Sequence, residues 1–214
     1  MNRPLFFTLC ALIFGAINSA LAHSVWIEPN DNQLVIRFAE PGDDFETSPG
    51  QLDNLSAPAA FILITNAPVF VIAAKQSHGF ALVGSSPTNT ACAETIFTVR
   101  GRRQPNFYAR WQPAGAGEAR PLLTLDLVPT GEPGEVRAYF RGQPLGGIKA
   151  MLRTPDEKEV ELTADAAGFL HFEPKQTGQY LLTLAHHREP LAGFYNGVPY
   201  KETSHNCSLV WSQK

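Results

Sequence analysis

The sequence predicts an all-β protein built as two sandwich-like domains. Short runs rich in Val, Ile, Leu, Phe and Thr recur between turn signals, and 17 glycines and 17 prolines punctuate the 214 residues. That is the pattern of sandwiches rather than of helical bundles. No segment of useful length carries a sustained helical period. Set apart from an N-terminal signal, about 190 residues remain, enough for one large or two small domains.

The first element is the signal, residues 1–22. It has a lone basic residue, Arg3, an apolar run over 5–16, and the small-residue site Ala20-Leu21-Ala22. The run is shorter than the roughly 20 residues of a membrane span, and no later segment is both long and uncharged. Cys10 lies inside the signal without a lipid-attachment pattern near the cut. The expectation is an exported mature chain with no membrane span. Cleavage after Ala22 makes His23 the first residue, joining a free α-amine and an imidazole in one chelating group.

Strands are expected in the first domain, 23–128, at 24–27, 34–38, 61–65, 69–73, 80–83, 95–99 and 106–111, each a short apolar or β-branched run. The connection after the second is long, acidic and turn-rich at 40–50, with a short helical turn within 52–60. A loop with Pro113, Gly115 and Gly117 follows the last strand, and 129–134 reads as a linker. In the second domain, 129–214, strands are expected at 135–141, 148–153, 158–163, 169–172, 180–186 and 207–211. Their alternation suits half-buried antiparallel sheet.

Charge narrows the partners. The full sequence has 17 basic and 20 acidic residues, and losing Arg3 makes the balance slightly more negative. A dedicated nucleic-acid surface needs a basic stripe, whereas Arg100-Gly101-Arg102-Arg103 is one short cluster and reads as a solvated turn. Cys92 and Cys207 remain after the signal is removed. In an oxidising compartment they either bridge or stay as buried thiols, and both readings stand at this point.

The histidines are His23, His78, His171, His186, His187 and His205. They form no local metal motif of the Cys-x-x-Cys or His-Glu-x-x-His kind. A non-local constellation remains, because a hairpin joining the last two strands brings His186 and His187 near His205. Strand alternation puts His186 and His187 on opposite faces, so at most one of them shares a site with His205. His23, His186, His187 and His205 are therefore the candidate metal ligands, suited to nickel, cobalt or copper. His78 reads as a solvated turn residue and His171 as a sheet residue. The acidic residues Glu28, Glu40, Asp43, Asp44 and Glu46 read first as a solvated loop that also attracts cations. Trp26, Phe45, Trp111 and Trp211 read as core.

The segments Gly142-Gln143-Pro144-Leu145-Gly146-Gly147, Thr163-Ala164-Asp165-Ala166-Ala167-Gly168-Phe169 and Gly178-Gln179-Tyr180 resemble the immunoglobulin-like or transthyretin-like repeat of exported proteins. Joined with His23-Ser24-Val25-Trp26-Ile27-Glu28-Pro29 and His205-Asn206-Cys207-Ser208-Leu209, they resemble a periplasmic family labelled as nickel- or cobalt-transport substrate-specific components. The resemblance implies a periplasmic metal-binding accessory or carrier whose partner is a metal transporter or outer-membrane receptor. Catalysis has little support: Ser48, Ser85 and Ser86 lack the Gly-x-Ser-x-Gly setting, and an N-terminal histidine alone is weak grounds for oxidative polysaccharide cleavage. The competing reading is a non-metal module that presents loops such as Asn196-Gly197-Val198-Pro199-Tyr200 to a protein or glycan.

Overall fold

The computed structural model describes residues 23–213, so the expected signal lies outside the described residues. Eighteen strands and one short 3-10 helix, Gln51–Asn54, make up the regular structure, and there is no α-helix among the described residues. The all-β expectation holds.

Three sheets stack as layers. The central one has eight strands: β3 (Ala59–Ile64), β4 (Ala67–Val71), β7 (Ala91–Ile96), β8 (Arg103–Gln112), β12 (Lys149–Arg153), β13 (Glu159–Thr163), β15 (Gly178–Glu189) and β18 (Glu202–Gln213). Their spatial order is β13-β12-β15-β18-β8-β7-β3-β4. At its middle β18 runs parallel to β8, from Glu202 opposite Arg103 to Trp211 opposite Gln112. The sheet therefore runs without a break across the expected boundary at 128/129. Strand β9 (Leu125–Pro129) turns back through 130–134 to pair antiparallel with β10 (Glu135–Phe140), so the expected linker is the turn of a hairpin.

The alternation of side chains across the central strands explains why two outer layers are needed. Phe107, Ala109 and Trp111 of β8, Ala91 and Ala93 of β7, and Val210 of β18 join one core. Tyr108, Cys92, Cys207 and Leu209, one residue out of phase, join the other. Successive side chains of a strand point to opposite faces, so this sheet is apolar on both and must be covered on both. The first face is covered by β1 (Ser24–Asn30), β2 (Gln33–Ala39), β5 (Ala73–Gln76) and β6 (Gly79–Leu82), ordered β1-β2-β6-β5. Ile27, Leu34, Ile36 and Leu82 from this layer are fully buried. Each contributes about 1.5–3 kcal/mol by leaving water. The opposite face is covered by β9, β10, β11 (Gln143–Pro144) and β14 (Phe169–His171), which bring in Leu125, Leu127, Val136, Ala138 and Leu170.

A charged pair is sealed inside the second core. Arg110 of β8 and Asp126 of β9 are both 0% exposed and meet side by side, Nε to Oδ1 at 2.9 Å and Nη2 to Oδ2 at 2.6 Å. Asp126 also accepts the backbone N–H groups of Leu122 and Leu123, and Arg110 donates to the Arg120 carbonyl. The pair fastens the outer hairpin to the central sheet.

Cys92 and Cys207 are free, buried thiols. Cys92 lies opposite Arg110 and Cys207 opposite Tyr108, so the whole of β8 separates them. Two strand spacings come to about 9.6 Å, beyond the reach of a disulfide. Burial pushes the Cys92 thiol up to about 12 and the Cys207 thiol well above its ordinary value.

Candidate functional site

Strand β15 pairs antiparallel with β18, with His187 opposite His205, as a hairpin-like pairing of these strands requires. The register shifts between Leu184 and His187, so Ala185 and His186 form a bulge. His186 there takes a left-handed backbone conformation, φ 63°, and its N–H donates to the Asn206 side-chain oxygen at 2.9 Å. A bulge adds one residue and shifts the phase, so His187 rather than His186 falls on the face of Tyr180, Leu182 and Leu184.

His187 stays with His205, ring centroids 6.3 Å apart, beside the edge of Phe140. His205 is 4% exposed and has both ring nitrogens engaged. The Glu189 carboxylate can only accept, so His205 donates from Nε2 at 3.0 Å, and Nδ1 accepts from the Tyr108 hydroxyl at 2.9 Å. Arg141 completes the chain with a 2.7 Å bond to the same Glu189 oxygen. Burial pulls His205 below its ordinary value despite the opposing Glu189 charge, and burial does the same to His187.

His186 goes the other way. With His23 it lines a cleft of about 520 Å³ bounded also by Phe38, Phe97, Phe107, Gln51, Arg100, Arg103, Pro105, Ser204 and Asn206. Ser204 and Asn206 flank His205 in sequence, and strand alternation sends their side chains to the cleft while His205 faces the second core. The four candidate histidines thus fall into two pairs on opposite faces, His23 with His186 and His187 with His205. They do not converge on one point.

His23 sits at the start of β1, its ring 5.1 Å from Phe38. Nε2 donates to Glu46 at 2.6 Å, and Nδ1 lies 3.5 Å from Glu40 Oε1. The acidic connection read as a solvated loop therefore supplies both side-chain partners of the His23 ring. Among the described residues no group of three or more His, Cys, Asp or Glu side chains has a metal-holding arrangement. The groups at this end are one imidazole, the two carboxylates of Glu40 and Glu46, and the backbone nitrogen of the same histidine.

Two arginines belong to the cleft that sequence reasoning left in solvent. The turn at Arg100–Arg103 is closed by reciprocal backbone hydrogen bonds, Arg100 N–H to the Arg103 carbonyl at 2.9 Å and the reverse at 3.1 Å. The turn sets Arg100 over the Phe97 ring at 4.7 Å and Arg103 on the cleft wall. The basic cluster itself was the signal, but only the fold shows which face its ends serve. His78 is exposed in a turn, and His171 lies exposed on β14 beside Glu135. Trp26 and Trp111 are in the first core, and Trp211 packs against the second.

No family model matches the chain, and no curated protein is detectably similar to it. Among solved structures it is similar to the crystal structure of chicken CNTN1 FN1–FN3 domains, at 9% identity and a TM-score of 0.23. That match covers 89% of this chain and 65% of the chicken chain, so this chain spans just under two thirds of that structure's length.

Proposed function

We propose that the mature protein is an exported, periplasmic, non-enzymatic carrier that binds a transition metal ion at its N-terminal histidine. The observation that carries the reading is the pair of carboxylates around His23. Nε2 donates to Glu46 at 2.6 Å, and Nδ1 lies 3.5 Å from the Glu40 carboxylate. A cation between Nδ1 and that carboxylate, a proton or a metal ion, is held from both sides. Ligands about 2.0–2.2 Å from one metal ion sit roughly 2.9–3.4 Å apart, close to that separation. The α-amine released by cleavage completes a three-donor set from two residues, and Glu46 acts as the outer carboxylate that orients a ligating histidine. Amine, imidazole and carboxylate donors suit nickel, cobalt, copper and zinc. His186, in the same cleft, is the histidine placed to add a further donor, whereas His205 must first give up Glu189 or Tyr108 to bind anything.

A carrier of this kind hands its ion to a metal transporter or outer-membrane receptor. Calorimetric titration of the protein starting at His23 tests the reading: one equivalent of nickel or copper binds, and Glu40→Gln weakens it at least about tenfold. Equal affinity in His23→Ala would remove the site. A second reading, a protein- or glycan-binding module, is favoured by the β16 (Gly193–Tyr195) and β17 (Val198–Tyr200) hairpin, which holds Phe194 77% exposed beside Val198. Partner binding that is indifferent to chelator would select it.

A further inference from the structure

The cleft beside His23 holds more recognition chemistry than a metal ion needs. Part of the lining is apolar: Phe38 packs 5.4 Å from Phe97 and 5.9 Å from Phe107, the rings tilted to one another, and all three residues line the space. Beside them, on β8 and β18, the lining is cationic and poor in partners. Arg103 makes no ion pair among the described residues, and its Nε is buried without a hydrogen-bond partner. Glu202, opposite it on β18, pairs instead with Arg188. Ser204, 1% exposed on the same wall, has an unpartnered Oγ. Arg100 meets Gln51 and the Phe97 ring but no carboxylate.

Buried polar atoms are ordinarily satisfied, so two unpartnered ones on a single cleft wall mark where acceptor atoms are missing. The left-handed backbone of His186 adds a third sign, since a non-glycine residue held there at a bulge stores strain in order to aim its ring. The volume, about 520 Å³, suits a molecule of one or two rings.

We propose that this cleft binds a small organic carboxylate with a flat apolar body, the carboxylate on Arg103 with Ser204 and His186, the ring against Phe38, Phe97 and Phe107. An inorganic anion leaves the phenylalanine wall unused, and a neutral apolar ligand leaves Arg103 and Ser204 unpaired. The chemistry selects a molecule carrying both parts. The site needs no metal: it uses neither His23 nor Glu40, and His186 is the one group it shares with the metal reading.

The test is an amide-detected NMR titration of the mature, ¹⁵N-labelled protein in EDTA, with phenylacetate and its neutral isostere phenylacetamide as probes. Phenylacetate gives saturable shifts centred on Arg103, His186, Ser204 and Phe107, and phenylacetamide binds at least about tenfold more weakly, the loss expected for one charge-assisted contact. Arg103→Gln brings phenylacetate down to the level of the amide, and His186→Gly weakens it while relieving the left-handed strain, so that binding falls as stability rises. Equal binding of acid and amide overturns the carboxylate assignment. Absence of saturable cleft shifts up to about 10 mM, weaker than any useful site, overturns the proposal as a whole. Because EDTA is present throughout, failure of the metal reading leaves this result unaffected.

Discussion

Replacing Asp126 by alanine unpairs a guanidinium that water cannot reach. Arg110 is 0% exposed, and the Asp126 carboxylate takes two of its N–H groups at 2.9 and 2.6 Å, leaving the Arg120 carbonyl as the remaining partner. Nη1 already lacks one. Breaking a buried pair from one side costs about 3–5 kcal/mol, because the remaining charge keeps its desolvation penalty and loses its attraction. The backbone N–H groups of Leu122 and Leu123 lose their acceptor as well, which places the expected loss toward the upper end. Against a total stability of about 5–15 kcal/mol, Asp126→Ala loses about a third or more. Removing both charges behaves differently: Arg110→Met with Asp126→Leu recovers most of the loss, since apolar replacement of a buried pair is near neutral. Urea denaturation of the wild type, Arg110→Met, Asp126→Leu and the double variant gives the four corners of the cycle, and Asp126→Ala is measured beside them. A loss below about 1 kcal/mol in Asp126→Ala would refute the argument, for that is the range of an exposed ion pair.

Three further outcomes follow from the same structure. Both thiols resist iodoacetamide in the native protein and react after denaturation without reductant, because burial holds Cys92 near 12 and Cys207 well above its ordinary value; a bridged pair in the intact mass would contradict the strand spacing. Stability falls as pH drops below about 6.5, since burial lowers His186, His187 and His205 when folded and the unfolded chain takes up more protons there; thermal melts between pH 7.5 and 5 measure it, and the His205→Gln protein shows a shallower slope. His205→Ala strands the Tyr108 hydroxyl and costs about 1–3 kcal/mol in denaturant, yet leaves metal affinity unchanged; loss of metal binding with an intact fold would move the site to the other face.

What the sequence made legible was local. Alternation located β1, β2, β8 and β15, but it could not show that the bulge before His187 exchanges the faces of His186 and His187. The start of β7 was placed late, at 95 rather than Ala91, because Ala91-Cys92-Ala93 are small residues with little apolar signal. Small side chains are what a strand packed beneath two layers can accommodate. No strand is expected from the sequence at β9, and the linker after it reads as a domain boundary, since Pro129 and Gly131 mark a turn without saying what the turn joins. The parallel pairing of β18 with β8 has no local signature at all, and it is this pairing that merges the two halves and puts Ser204 and Asn206 beside Arg103. The cleft is a product of long-range register, so its arginines looked like an ordinary solvated turn. The carboxylate partners of His23 were visible as an acidic loop but not as a site, because 17 and 23 positions separate them from it.

The central claim rests on one peptide bond, the one that frees the His23 amine. The direct test compares calorimetric titrations of the protein beginning at His23 with the same protein acetylated at the His23 amine, each against nickel, cobalt, copper and zinc. The account predicts one equivalent bound by the first and at least about a hundredfold weaker binding by the second, since acetylation turns the amine donor into an amide nitrogen, adds no new amine, and leaves a single imidazole with Glu40. Equal affinities in the two proteins would contradict it.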